Sequence, residues 1–429
     1  MIMIDGSEGE GGGQILRTCM AMSILTGKNV TISNIRAKRP RPGLAPQHLA
    51  GIGIAYEIGL CRTSVIEGKT LGSTELMYQP GLFEDRDKGA VSYEADPKTA
   101  GSITLMIQVA LPILLLRNIL KISKESLPCY SLRLRGGTNV SFSPPIEHVK
   151  FVLVPILRRM TGASGLSLDI DRYGYFPRGG GEVQLNITPA TSFKAFNHER
   201  KGEQSRGSCE VVIIFNSQSL ASVCSYAFDK MEQICKYFFR DNEDVKEVTV
   251  IRVAGEQAAP PESRSMKRDS SGYKKKKRGQ HSRGGGAKEV CSISIIASYT
   301  NGAELYHHLD EVSVCEDLWA AHDLSTSCPP TRLKRFLEEV LLMMDSEADL
   351  DERTADQIVL YEAVALLHKA ASSKGEGPYE SSFTVCPESE VSSAHLQTVA
   401  EVSSIFTGVT IAINKEEKGR RRVNFHLEA

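Results

Sequence analysis

Five glycines fall within eight residues near the start of this chain, at Gly6, Gly9, Gly11, Gly12 and Gly13. No helix or strand interior tolerates that density, because glycine gives up the most conformational freedom when it is ordered. The segment must be a loop, and its flanks say what it joins. Ile2, Met3 and Ile4 form a short apolar strand pattern. Residues 14–25 carry Ile15, Leu16, Cys19, Met20, Met22 and Leu25 close to a helical stripe, which Gly27 stops. The chain therefore opens as strand, glycine loop, helix.

That order recurs. Residues 30–35 read as a strand and residues 46–59 as a helix with Pro46 at its first position. Helical patterns cover 101–116 and 146–160, with strand-like runs at 166–170 and 182–187. Near the C-terminus come a helix around 353–370, a strand at 383–386, a helix around 393–406 and strands at 409–413 and 422–426. Three α/β units of similar order predict a repeated architecture: repeats one and two over residues 1–190 and a third over 313–429. Between them, residues 191–312 hold strand patterns at 210–215, 247–252 and 290–297 and a helix at 221–239, enough for a smaller inserted α/β domain. Within that insert, residues 255–288 are a low-complexity run containing Lys274–Lys277 and Arg278. Such a composition predicts disorder. It reads as a nuclear-localisation patch, an RNA-touching arm or a merely solvated insertion.

Bulk properties narrow the chemistry. With 51 Lys and Arg against 52 Asp and Glu, the net charge is −1, so a polyanion must be held by local basic clusters. None of the 10 cysteines forms a Cys-x-x-Cys pair, and no basic and apolar leader opens the chain. A reduced intracellular setting is the expectation. The apolar stretch 103–116 is shorter than the ~18–20 residues of a membrane span and contains Pro112, so a buried helix is expected and no membrane partner.

The glycine loop satisfies neither the Walker A pattern nor the dinucleotide fingerprint. By shape alone, a tight structural turn explains it as well as a phosphate loop does. Its carboxylates, Asp5, Glu8 and Glu10, shift the balance, since they would repel phosphate unless a divalent metal such as Mg²⁺ lay between. Arg17 lies one turn beyond. Residues 36–41 then carry Arg36, Lys38, Arg39 and Arg41, stiffened by Pro40 and Pro42, either as an anion clamp or as a solvated loop. Tyr173, Tyr175 and Phe176 beside Arg178 suit stacking on single-stranded bases. Adjacent His307 and His308 should point apart on a regular element. His395, at a predicted helix start, would be held neutral and nucleophilic by the helix N-terminus.

Taken together, these runs resemble the RNA 3′-terminal phosphate cyclase family. The matching segments are Asp5 through Arg17, Leu25–Gly27, Ile35–Arg36 through Pro42–Leu44, Gln47–Leu49, Thr99–Ile103 and Arg135–Thr138. Pro144–Pro145, Tyr175–Val183, Ala355–Gln357 and His395–Thr398 complete them. The similarity is dense over roughly the first 190 residues and sparse in the third unit.

The resemblance implies three βαβαββ-like units, each like the C-terminal domain of translation initiation factor three, with a smaller α/β insert. It implies ATP-dependent conversion of an RNA 3′-terminal phosphate to a 2′,3′-cyclic phosphate through a histidyl-AMP and an RNA adenylate. His395 matches the nucleophile. Glu10 matches the residue that binds Mg²⁺ or Mn²⁺. Arg36, Arg39, Gln47, His48 and Asp356 match catalytic positions. Gly11, Gly12, Gly13, Gln14, Arg17, Pro144, Asp356 and Gln357 match the ATP site, while Arg36, Lys38, Arg39 and Arg178 face RNA. The partner implied is RNA ending in a 3′-phosphate, in the nucleoplasm with the cytoplasm as alternative.

This chain departs from the pattern at three points. Arg353 stands where tyrosine is usual, Lys38 where glycine is common, and an added loop is expected at 372–382. His368 is the rival nucleophile. A non-catalytic relative acting as a scaffold in ribosomal RNA processing is the alternative function, but such relatives lose the carboxylate, the arginine loop and the histidine. A phosphoenolpyruvate-using transferase on the same repeated fold is a third, favoured by nothing beyond basic loops.

Overall fold

The structure is a computed structural model. It describes residues 1–9, 11–59, 63–81, 91–120, 128–196, 207–217, 225–254, 290–313, 332–373, 378–387 and 394–428. Glu10 and the basic run at 255–288 lie outside the described residues.

The first unit runs β1 (Ile2–Asp5), α1 (Gly13–Thr26), β2 (Val30–Ser33), α2 (Pro46–Ile58), β3 (Val65–Glu67) and β4 (Leu76–Gln79). Its sheet has the order β1-β2-β4-β3, with β1 and β2 parallel and the other pairs antiparallel. The second unit repeats this. It comprises β5 (Val91–Ala95), α3 (Ile103–Leu116), β6 (Tyr130–Gly136), α4 (Ile146–His148), a π-helical turn (Val149–Leu153), α5 (Val154–Thr161), β7 (Ser167–Arg172) and β8 (Gly181–Ile187). The sheet order is β5-β6-β8-β7, again with only the first pair parallel. The helix expected at 146–160 is thus interrupted by a π-turn.

An α/β segment of different topology follows: β9 (Cys209–Ser217), α6 (Ser225–Phe239), β10 (Val245–Ala254), β11 (Val290–Tyr299), β12 (Glu304–Ser313) and α7 (Arg332–Asp345). Its sheet runs β10-β9-β11-β12. The last unit has α8 (Glu352–Ser372), β13 (Tyr379–Val385), α9 (Ala394–Thr407), β14 (Thr410–Lys415) and β15 (Arg421–Leu427). Its strands lie in the order β13-β15-β14, the repeat pattern without a first strand. A parallel bridge from Leu350 to Val385 occupies that strand's position, and Leu350 also bridges to Glu304 of β12.

Burial explains the layering. α1 and α3 are buried almost all round, whereas β6 and β8 alternate buried and accessible residues, as sheets with one wet face do. The repeats therefore turn their helices inward and their sheets outward. Ser102 caps α3 by accepting from the Leu105 N–H at 3.3 Å. No described helix is long and apolar enough to cross a membrane. The sheet of the inserted segment buries Val211, Ile213 and Phe215 against α6 and α7, and Ile214, Ile296 and Tyr306 against the main core. On β12, His307 bonds Glu339 and His308 bonds Ser294, on opposite faces as adjacent strand residues must.

The loop expected at 372–382 is corrected in part, since β13 begins at Tyr379. Its inward positions are Tyr379, Ser381, Phe383 and Val385. Ser381 breaks the apolar alternation because it is buried on the Glu362 carboxylate.

Candidate active site

α1 starts at Gly13 with Gly12 as its cap and no side-chain cap bond, so its first-turn amides are left to other partners. The glycines permit close approach. A Cβ on Gly9, which has φ of 53°, would lie 2.3 Å from Thr398 Oγ1 on α9. A Cβ on Gly13 would lie 2.6 Å from His48 Nε2 and 2.8 Å from Arg17 Nη1. Any other residue would push these partners off the loop. The Gly11 N–H donates to the Glu8 carbonyl at 2.9 Å, closing the turn.

Gln14, in the first turn of α1, joins two distant parts of the chain. Its amide Nε2–H donates to Asp356 Oδ2 at 3.4 Å, which leaves Oε1 as the acceptor facing His395 Nδ1. Facing an amide oxygen, His395 Nδ1 must carry its proton there, so Nε2 is the ring nitrogen that this contact leaves to other partners. His395 is exposed, on the first turn of α9. The rival His368 lies 12 residues past Asp356 on α8, about 18 Å along the helix axis at ~1.5 Å per residue.

Asp356 is half-buried, with Gln14 and Arg17 around its carboxylate. Burial raises its pKa to about 8 against the opposing effects of Arg17 and Gln14. Its Oδ1 is enclosed, with no hydrogen-bond partner among the described residues. Gln357 turns elsewhere: its amide donates to the Arg353 carbonyl at 3.0 Å and sits 3.5 Å from His148 Nδ1.

The basic loop reaches the glycine loop from the other side. Arg36 adopts φ of 54° and its Nη1–H donates to the Gly43 carbonyl at 2.7 Å, bracing the loop it belongs to. The stem of Lys38 lies 4.0 Å from where a Gly11 Cβ would be, and Lys38 and Arg39 are exposed. His48 is buried. Its Nδ1 accepts from the Ala45 N–H at 3.1 Å, so the Nε2–H faces Gly13. Burial, then Arg17 and Arg36, depress its pKa to about 3, so it is a neutral donor at physiological pH. Arg17 Nε–H donates to Gln108 Oε1 at 3.0 Å. Between α1, α2 and α3 these residues form a pocket lined by Arg17, Gln47 and His48 over Leu16, Met20, Ile52, Leu105 and Val109.

Pro144 is half-buried, and its carbonyl accepts from Thr104 Oγ1 at 2.7 Å. Arg178 is exposed on the loop between β7 and β8. Asp5 is otherwise engaged: it accepts from the Ser7 N–H at 2.9 Å and from Asn34 at 3.2 Å, which lower its pKa. It shapes the loop. The sequence reading gives Gln108 and Thr398 no role in the site, although a lone glutamine inside the apolar helix α3 is a signal that could have found the first.

The family model for RNA 3′-terminal phosphate cyclase matches residues 8–413, spanning the glycine loop, the arginine loop and His395. The chain belongs to the RNA 3′-terminal phosphate cyclase family. A protein of that name from Archaeoglobus fulgidus is 44% identical over 207 residues, which is 48% of this chain and 57% of that protein. One from Caldivirga maquilingensis is 43% identical over 203 residues, 47% of this chain and 52% of the relative. A third, from Metallosphaera sedula, is 43% identical over 185 residues, 43% of this chain and 49% of the relative. The chain thus spans about half the length of these relatives. In this chain α1 and α9, from the two ends of the sequence, meet at Gln14 and His395.

Proposed function

We propose that this chain converts an RNA 3′-terminal phosphate to a 2′,3′-cyclic phosphate at the expense of ATP, through a covalent adenylate on His395. The observation that carries the reading is the Gln14 link: an amide oxygen on Nδ1 fixes the proton there and assigns the attacking role to the other ring nitrogen, Nε2.

In the first step Nε2 attacks the α-phosphorus of ATP and the bond to pyrophosphate breaks, pyrophosphate leaving with the electron pair. The Nδ1–H stays on Gln14, whose Oε1 stabilises the positive charge that the ring gains. An oxygen of the RNA 3′-phosphate next attacks the same phosphorus, and neutral His395 departs. The neighbouring 2′-hydroxyl then attacks the 3′-phosphorus, its proton is lost to a base and AMP leaves. Arg17, Arg36 and Arg39 supply fixed positive charge for the phosphates, and the neutral His48 a hydrogen-bond donor at Gly13. ATP lies over Gly11, Gly12, Gly13 and Gln14, with Pro144 at the base. The Arg353 guanidinium, which can stack on a base, stands in for the usual tyrosine.

Glu10 and Asp356 would hold a divalent metal, Mg²⁺ or Mn²⁺, and the enclosed, unbonded Asp356 Oδ1 is an acceptor of the kind such an ion takes. Bound there, the metal would supply charge neutralisation to the phosphates. The basic run Lys274–Lys277 supports a nuclear setting. Incubation with ATP and an RNA ending in 3′-phosphate tests the function. A 2′,3′-cyclic end and stoichiometric AMP are expected, with no reaction on a 3′-hydroxyl end; no cyclic product would refute it.

A further inference from the structure

Two phenylalanines stand out of the described surface: Phe142 is 103% exposed and Phe176 is 74% exposed. Single exposed apolar residues are ordinary, but these two belong to loops that touch. Phe142 follows β6 and Phe176 lies between β7 and β8. Asn139 and Tyr175 form a parallel bridge, and the Thr138 N–H donates to the Gly174 carbonyl at 2.8 Å. Phe142 also has φ of 63°, a region that bulky residues rarely enter.

The loops are clamped from below. Glu147 accepts from Asn139 Nδ2 at 2.9 Å with one carboxylate oxygen and from Asn216 Nδ2 at 2.5 Å with the other. Asn216 Oδ1 in turn accepts the Tyr175 hydroxyl. A rigid base thus holds two aromatic rings in water, where neither adds to the core.

Their position gives them a use. A Cβ on Gly179 would lie 3.0 Å from Ala100 Cα, and one on Gly101 would lie 3.1 Å from Gln47 Cβ. On the other loop, the Pro144 carbonyl holds Thr104. Both aromatic loops therefore flank residues 99–104, which buttress the pocket of Gln47 and His48. Arg178 is exposed two residues beyond Phe176, and the neighbours of Phe142 are the polar Ser141 and Ser143. Isolated rings among polar groups and an arginine, beside a phosphate pocket, fit the faces of nucleobases better than an apolar protein segment.

We propose that Phe142 and Phe176, with Arg178, form a stacking platform for the unpaired bases immediately upstream of the RNA 3′-terminal phosphate. This rests on the reading that the adjacent pocket takes that phosphate. Stacking tolerates every base, so the platform selects a single-stranded end and not a sequence.

The test uses the full chain and a hexanucleotide RNA ending in 3′-phosphate, with 2-aminopurine at the second or third position from that end. Binding should quench the fluorescence. Phe142→Ala and Phe176→Ala should each abolish part of the quench and raise Kd roughly tenfold, while Phe142→Tyr and Phe176→Tyr should preserve both. Affinity for a nucleoside 3′-phosphate, which has no upstream base, should not change. Unaltered quench and Kd in the double alanine variant would overturn the platform, as would an equal loss for the nucleoside 3′-phosphate or a surface that binds protein and no RNA. A wild-type protein that quenches the probe but makes no cyclic phosphate would refute the proposed function and leave the platform standing. Cyclisation with normal binding in the double variant would do the reverse.

Discussion

Gln14 Oε1 accepts the Nδ1–H of His395 across 381 residues of sequence, and the same side chain donates to Asp356. One glutamine thereby sets the tautomer of the candidate nucleophile and ties α1 to both α8 and α9. Gln14→Leu removes the acceptor without a charge change. We expect its rate of self-adenylylation to fall about 10- to 100-fold, the size of effect seen when a residue orienting a reactive group is lost. The KM for ATP should move little. Single-turnover labelling with ATP checks this, and a normal rate would remove Gln14 from the mechanism.

Gly13→Ala should damage activity more than stability. The added methyl would meet His48 Nε2 at 2.6 Å, and that ring is pinned through Nδ1 to the Ala45 N–H. Overpacking costs about 1–3 kcal/mol. Displacing a phosphate donor by an ångström can cost on the order of 10²-fold in kcat/KM. Denaturant melts and steady-state kinetics on the variant separate the two.

Acid should destabilise the fold through His148. Its Nε2–H donates to Thr354 Oγ1 at 2.9 Å, because that hydroxyl already donates to Asp351 at 2.6 Å. Burial, then Arg353 and His308, lower its pKa to about 3. The unfolded chain takes up a proton below about pH 6.5 that the folded chain refuses, so stability falls as pH drops from about 6.5 towards 3. Each pH unit in that window costs up to about 1.4 kcal/mol for this group. His148→Phe should shallow the slope in urea titrations between pH 7 and 4.5.

Glu362 acts at the other end. It accepts from the Phe196 N–H at 2.6 Å and from Ser381, yet burial outweighs both and raises its pKa to about 7. The folded chain holds a proton that the unfolded chain releases near pH 4.5, so this contribution is present in acid and lost as pH rises through about 7. Glu362→Gln keeps an acceptor for Phe196 and stays neutral. The variant should match wild type near pH 5 and exceed its Tm at pH 8.

What could be read from the sequence divides along physical lines. The α/β order was legible where a glycine loop or an apolar stripe stood out, as at Gly6–Gly13 and at residues 103–116. β13 was partly hidden because the buried Ser381 interrupts its alternation, and β12 because Glu304, His307 and His308 read as polar surface. Glu147 and Glu362 are buried acids whose partners come from other elements, so no local pattern marks them. Family motifs supplied the candidate site residues, but they could not say that Asp5 is spent on Ser7 and Asn34. The Gln14–His395 link depends on α1 meeting α9, which no local window of sequence contains.

The proposed reaction turns on His395 carrying AMP. The direct measurement is to incubate the protein with α-labelled ATP and a divalent metal, without RNA, and to map the acid-labile label by mass spectrometry. One AMP on His395 is expected, lost in His395→Ala and retained in His368→Ala. Absence of a label on the native protein, or a label that survives His395→Ala, would contradict it.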